Sequence, residues 1–167
     1  MRLLDGDLTV ADLDAFLATI DEISTETATT IQAFDADYVV SEAHLRRAVE
    51  RADRAIARGE NVARDRAVEI LCYAAGRRQI NRALEMGVSE GENRVVLLVD
   101  SLAGDEHAEA AALDVLREHV DSEALLGEYD EASVRSFFGI GDTELAAVDG
   151  TLADLVLERV ALLDVEK

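Results

Sequence analysis

The side chains best suited to chemistry in this sequence are arginines and amides, and they crowd together. Arg47, Arg51, Arg54 and Arg58 recur at a spacing that places them within about 60° of one another on a helix. Guanidinium groups bind phosphate through paired N–H donors and stack on bases, so such a stripe suits a polyanion. The plainer reading is a solvated helix face, with Glu50 placed to pair with Arg47 and Arg54. A second group is the run Gly76-Arg77-Arg78-Gln79-Ile80-Asn81-Arg82. A glycine inside a helical pattern costs ~1 kcal/mol relative to alanine and usually lets another group approach closely. Arg78 and Arg82 share one helical face, and Arg77 and Asn81 share the adjacent one. Guanidinium, amide and apolar groups together suit single-stranded RNA, whose unstacked bases expose their hydrogen-bonding edges. The alternative is a helix C-terminus, where the dipole favours positive charge.

Other reactive types are sparse. Glu69 lies between Val68 and Ile70 in an apolar run, so it needs a partner. A structural ion pair with an arginine is expected over a general base. Cys72, the one cysteine, reads as a small core residue. It cannot form an intrachain disulfide or a multi-cysteine zinc site. His44, His107 and His119 fall in no zinc spacing, and His44 suits capping or packing at the third position of a helix. There is no phosphate loop, no G-x-S-x-G elbow and no H-E-x-x-H motif. No metal, cofactor or enzymatic activity is expected. A hydrolase built on Glu69 or His44 would require a pocket joining them.

Charge sharpens the picture. The 167 residues carry 36 acids against 16 bases, a formal net charge of −20, and a single lysine. Acids spread along the whole chain fit adaptation to molar salt, where a Debye length of roughly 3 Å screens self-repulsion. A basic partner is the other explanation. The bases are not spread: 11 of the 16 lie between Arg46 and Arg94. The final third, around Gly139-Ile140-Gly141, faintly suggests a helix-turn-helix, but its acidity argues against DNA.

The elements that must position these groups are legible in outline. Met1–Leu4 suits a strand, and Thr9 with Asp12 suits the cap of a first helix. Residues 29–40 read as a strand and an extended stretch. Ser41 caps a helix that Gly59 ends, with Leu45, Ala48, Val49, Ala52 and Ile56 as its apolar stripe. The pattern then predicts one long helix from Asn61 or Asp65 to about Met86, its first half buried. Val95–Val99 reads as a central strand, followed by helices near 106–119, 131–138, 143–148 and 151–163. The expected fold is mixed α/β: a single compact domain over residues 1–167, with a small sheet of few strands and about six to eight helices. With no apolar run near ~20 residues and no signal-peptide plan at the start, a cytoplasmic protein with no membrane partner is expected.

Several of these residues also resemble a known family. His44-Leu45, Ala48, Ala52, Ala55, Asn61, Glu69-Ile70-Leu71, Gly76-Arg77-Arg78-Gln79-Ile80, Ala83 and Gly87 resemble the TPRKB (PRPK-binding protein) family of KEOPS subunits. The likeness is strongest over residues 31–99 and looser to Leu163. With its acidity, the chain looks like an archaeal, halophile-type version. The resemblance implies a non-catalytic subunit that contacts the atypical kinase/ATPase subunit of KEOPS. It also implies recruitment of tRNA by its 3′ CCA end, in support of threonylcarbamoyl-adenosine modification at position 37. On the same resemblance Asn61, Arg77 and Gln79 fall in the RNA site, and Arg64, Arg78 and Arg82 join them on chemical grounds. A purely protein-binding module with structural arginines is the alternative.

Overall fold

The computed structural model describes residues 1–166. Four strands, β1 (Arg2–Val10), β2 (Thr30–Asp35), β3 (Gly91–Asp100) and β4 (Asp121–Ser122), pair antiparallel in the order β2-β3-β1-β4. Eight α-helices accompany them among the described residues. They are α1 (Leu13–Thr27), α2 (Glu42–Arg58), α3 (Arg66–Ala75), α4 (Ile80–Ala83), α5 (Glu106–Leu116), α6 (Glu131–Phe138), α7 (Asp142–Ala147) and α8 (Leu152–Glu166). The mixed α/β class and the number of helices agree with the sequence. Contacts gather into two units: Met1–Ala36 with Gly87–Leu125, and Asp37–Met86 with the chain from Leu126.

The first unit is the sheet with α1 and α5. Alternate residues of β1 (Leu4, Leu8, Val10), β2 (Ile31, Ala33) and β3 (Val95, Leu97, Val99) share one core with Ile20, Ile23, Ala112, Leu113 and Leu116. That is the period-two pattern of a strand with one face on a core. β1 runs six residues further than the apolar start suggested, because the long run of β3 offers it a partner from Arg2↔Val99 to Val10↔Gly91. Thr9 therefore pairs in the sheet rather than capping α1. Asp12 is the cap, accepting from the Ala15 N–H at 3.2 Å. The short β4 was not legible in sequence. It pairs with Gly6 and Asp7, and a Cβ on Gly6 would stand 2.2 Å from the Asp121 carbonyl oxygen. Only glycine admits that approach.

The second unit is helical. Ser41 and Gly59 bound α2 as expected, Ser41 Oγ accepting from the His44 N–H and Gly59 adopting the left-handed conformation. Leu45, Ala48, Val49 and Ala52 are buried, while Ile56 keeps 37% exposure. In α3 every residue from Ile70 to Ala75 is at most 1% exposed, matching the burial expected of that run. On α8, Thr151 and Asp154 exchange backbone and side-chain hydrogen bonds reciprocally at 3.0 and 3.3 Å, closing a capping box.

One expectation fails here. The long helix from residue 61 or 65 to 86 is three pieces, because Gly76 stops α3 instead of continuing it. Its φ is 61°, and its N–H returns to the carbonyls of the last turn. A Cβ on Gly76 would meet the Arg159 carbonyl oxygen of α8 at 3.4 Å. The left-handed backbone selects glycine. Arg77–Gln79 form a turn, α4 restarts at Ile80, and a 3-10 turn closes at Met86. Gly76→Ala should cost about 1–2 kcal/mol, the penalty for a left-handed non-glycine residue. Urea unfolding would read this as a lower midpoint at unchanged slope.

Candidate nucleic-acid interface

The segment between α2 and α3 is fixed from beneath by a buried carboxylate. Glu69 is 0% exposed and accepts the Val62 N–H at 3.0 and 3.1 Å and the Ala63 N–H at 3.4 Å. The backbone amides of Val62 and Ala63 are donors that face it. Asp65 caps α3 by accepting from Ala67 and Val68. Asn61 Nδ2 donates to the Ala63 carbonyl at 2.8 Å, which sets the orientation of its amide. Glu69 and Asn61 thus hold the backbone of Val62 and Ala63, while Asp65 starts α3.

A histidine joins the start of α2 to the end of α3. His44 is fully buried; its Nδ1 accepts the Val40 N–H at 3.3 Å, so Nε2 bears the proton and donates to the Ala74 carbonyl at 2.7 Å. Burial lowers its pKa from 6.5 to about 4, against the opposing pull of the Ala74 carbonyl. Both ring nitrogens are occupied by backbone, and neither His44 nor Glu69 reaches solvent. A hydrolase built on them has no access to a substrate.

The arginines divide. Arg66 grips Asp53 of α2 through two hydrogen bonds at 2.7 and 2.8 Å. Arg51 reaches Asp164 of α8 at 2.7 Å, and the Tyr73 hydroxyl of α3 donates to the same carboxylate. Burial first, and then Asp164, raise the pKa of that hydroxyl. Arg77 also turns inward. Its guanidinium lies 4.9 Å from the Phe137 ring centroid, its Nη2 donates to the Phe137 carbonyl, and its Nε is buried without a partner. Among the described residues the exposed arginines are Arg2, Arg46, Arg47, Arg54, Arg58, Arg64, Arg78, Arg82 and Arg117.

One open depression of about 590 Å³ gathers part of the expected set. Asn61 and Arg78 line it together with Glu60, Val62 and Asp164. Gln79 is exposed in the adjoining turn, with no capping hydrogen bond from its side chain. Arg82 is exposed on α4 and pairs with Glu85 at 3.8 Å. Arg64 is exposed two residues beyond Val62. Of the six expected residues the depression brings together Asn61 and Arg78. Arg77 faces the end of α6, and the other three lie on the flanking turn, α4 and loop. Glu60, Val62 and Asp164 were missed. Asp164 lies 103 residues beyond Asn61 on a helix with no local motif, and only packing brings it in.

Residues 10–164 match the family model of kinase binding protein CGI-121. The chain belongs to that family. No curated protein sequence matches it significantly. Membership bears out the resemblance read from Gly76 to Ile80 and its neighbours, and a kinase is the kind of partner the family binds. Among the described residues, no helix is long and apolar enough to cross a membrane, and no group of three or more His, Cys, Asp or Glu could hold a metal.

Two outcomes follow from the buried polar groups. The native state keeps His44 neutral down to about pH 4, while the unfolded chain protonates it near 6.5. Its contribution is complete above pH 6.5 and declines as pH falls toward 4, by about 3 kcal/mol. His44→Gln should be less stable at pH 7 yet decline less steeply between these values. Urea unfolding of both proteins across that range measures it, and equal slopes would assign the decline to carboxylates. Glu69→Ala should cost about 2–3 kcal/mol by leaving the Val62 and Ala63 amides unpaired, with faster hydrogen exchange at those two amides.

Proposed function

We propose that this chain is a non-catalytic KEOPS subunit that contacts the atypical kinase/ATPase subunit and holds the 3′ CCA end of tRNA. In that role it would support threonylcarbamoyl-adenosine modification at position 37, in a cytoplasm of high salt. The observation that carries the RNA part is the open depression lined by Asn61 and Arg78, flanked by the exposed Gln79, Arg82 and Arg64. Guanidinium and amide groups beside exposed apolar side chains, here Val62 at 40% and Ile80 at 38%, suit unpaired nucleotides. Family membership supports the kinase contact. The engagement of both His44 ring nitrogens by backbone supports the lack of catalysis.

Arg77 enters this reading as the residue that holds the turn. Its bond to the Phe137 carbonyl and its packing on that ring fix residues 76–79, so that Arg78 and Gln79 stay outside. The second reading, a protein-binding module with structural arginines, draws on the same inward arrangement of Arg51, Arg66 and Arg77. A labelled CCA-ended oligonucleotide in molar KCl separates the two: a saturable shift favours the RNA reading, and none favours the module.

In molar salt, phosphate contacts lose most of their counterion-release advantage, so recognition should rest on bases. Trimming the terminal CCA should weaken tRNA binding about tenfold or more, from stacking worth ~1–3 kcal/mol per base. Equal affinity for trimmed and intact tRNA would contradict this. Arg78→Ala should weaken tRNA binding at unchanged co-purification with the kinase subunit. Arg77→Ala should lower the midpoint as well.

A further inference from the structure

We propose that Arg54, Arg58 and Arg64 form a strip that binds the phosphates of an RNA strand entering the neighbouring depression, and so sets its path. This inference rests on the RNA-end reading above and adds to it the side chains that meet the strand's backbone.

These three side chains are set apart by what they do not touch. Arg2, Arg46, Arg47, Arg82 and Arg117, also exposed, each hold a guanidinium nitrogen 2.6 to 4.0 Å from a carboxylate oxygen. Among the described residues, the side chains of Arg54, Arg58 and Arg64 make no hydrogen bond or ion pair. In a chain of 36 acids and 16 bases, an arginine without a carboxylate is the exception. Nearby acids are turned elsewhere. Glu50 lies 4.0 Å from Arg47, Asp53 accepts from Arg66, and Asp65 caps α3.

Two of the three placements work against the free protein. Arg54 and Arg58 share a helical face about 6 Å apart along the axis of α2. Like charges at that spacing repel. Arg64 directly precedes Asp65, the N-cap of α3, at the helix end where the dipole is positive and a cation is disfavoured. Arg58 alone gains from its dipole, in the last turn of α2. An anion laid along the three relieves both penalties. Phosphate suits them, because a guanidinium meets it through paired N–H donors.

The loop between them favours a nucleotide strand as the source of that phosphate. Arg58 precedes and Arg64 follows the residues that carry Asn61 and the exposed Val62 to the depression. A strand whose last bases occupy the depression brings its own phosphates alongside. An acidic protein segment would answer the charges but makes no use of the amide and apolar surface between them. In molar salt the strip adds little affinity through counterion release. Its contribution is positional, since phosphate contacts fix register and orientation while base contacts carry the selectivity.

The test is a salt series. A labelled single-stranded RNA, ending in CCA with several nucleotides upstream, is titrated with the whole protein. KCl is lowered from molar through concentrations at which circular dichroism shows each variant folded. Arg54→Gln, Arg58→Gln and Arg64→Gln should each flatten the slope of log affinity against log salt by about 0.7, and the triple variant by about 2. A fivefold fall in salt then widens the gap to wild type about threefold for each single variant and about 30-fold for the triple. Lysine at the same positions keeps the charge and should keep the slope. Arg64→Gln should unfold at a thermal midpoint no lower than wild type, because it removes a cation from the start of α3. An unchanged slope in the folded triple variant, or a lowered midpoint in Arg64→Gln, would overturn the inference and leave the RNA reading standing. Loss of co-purification with the kinase subunit at unchanged RNA affinity would do the same and assign the strip to a protein partner. No saturable RNA binding by the wild type would remove both readings.

Discussion

The candidate site depends on a carboxylate that never meets a ligand. Glu69 sits at 0% exposure under the loop between α2 and α3 and fixes it by accepting the Val62 and Ala63 amides. A carboxylate that receives several backbone N–H groups can remain buried, because the hydrogen bonds replace lost hydration. The position has two consequences. Val62 is held with its side chain outward, and Asn61 is placed so that its NH₂ turns to the Ala63 carbonyl. His44 does the matching task at the other end of α3, through the Ala74 carbonyl. Both anchors satisfy backbone groups at the ends of one buried helix, so the loop before it and the turn after it are specified together.

The turn after α3 also shows where the sequence stopped being readable. Ser41 and Gly59 bounded α2 on local chemistry alone, and Glu131–Phe138 matched residue for residue. Gly76 reads in sequence as a glycine inside a helix, and its left-handed φ makes it a stop instead. A Cβ there would stand 3.4 Å from the Arg159 carbonyl oxygen, 83 residues away on α8. For the same reason Arg77 could be placed beside Arg78 on a helical face but not assigned a direction. Once the helix ends, neighbours in sequence point to opposite sides. Asp164 had no sequence signal, since it joins the depression only through packing of α8 on α2 and α3. What was legible were groups whose partners lie within a turn or two. What was not depended on helices crossing.

Charge follows the division into units. Residues 1–36 and 87–125 hold 18 acids and three bases, whereas residues 37–86 and 126–167 hold 18 acids and 13 bases. The carboxylates are thus even between the units, and the bases are what gather in the second, where several are paired within the molecule: Arg66 with Asp53, Arg51 with Asp164, and Arg159 with Glu144, whose carboxyl pKa the Arg159 hydrogen bond lowers. Interactions at contact distance persist when salt screens longer ones. A site meant to work in concentrated salt would therefore rely on hydrogen bonds and stacking, and hold its few charges at fixed positions.

Those fixed charges explain why arginine, and almost no lysine, supplies them. Arg77 uses its planar guanidinium in two directions at once, face against the Phe137 ring and edge to the Phe137 carbonyl. Arg66 matches both oxygens of Asp53. An ammonium could do neither, since it lacks a flat face and a paired set of donors. The division between inward and outward arginines is thus a division of work by the same chemistry. Arg51, Arg66 and Arg77 join helices and seal the end of α6, and that leaves Arg78 as the guanidinium in the depression. A side chain whose neighbours are already tied down loses less freedom when it meets a partner, and that economy suits the proposed holding of an RNA end.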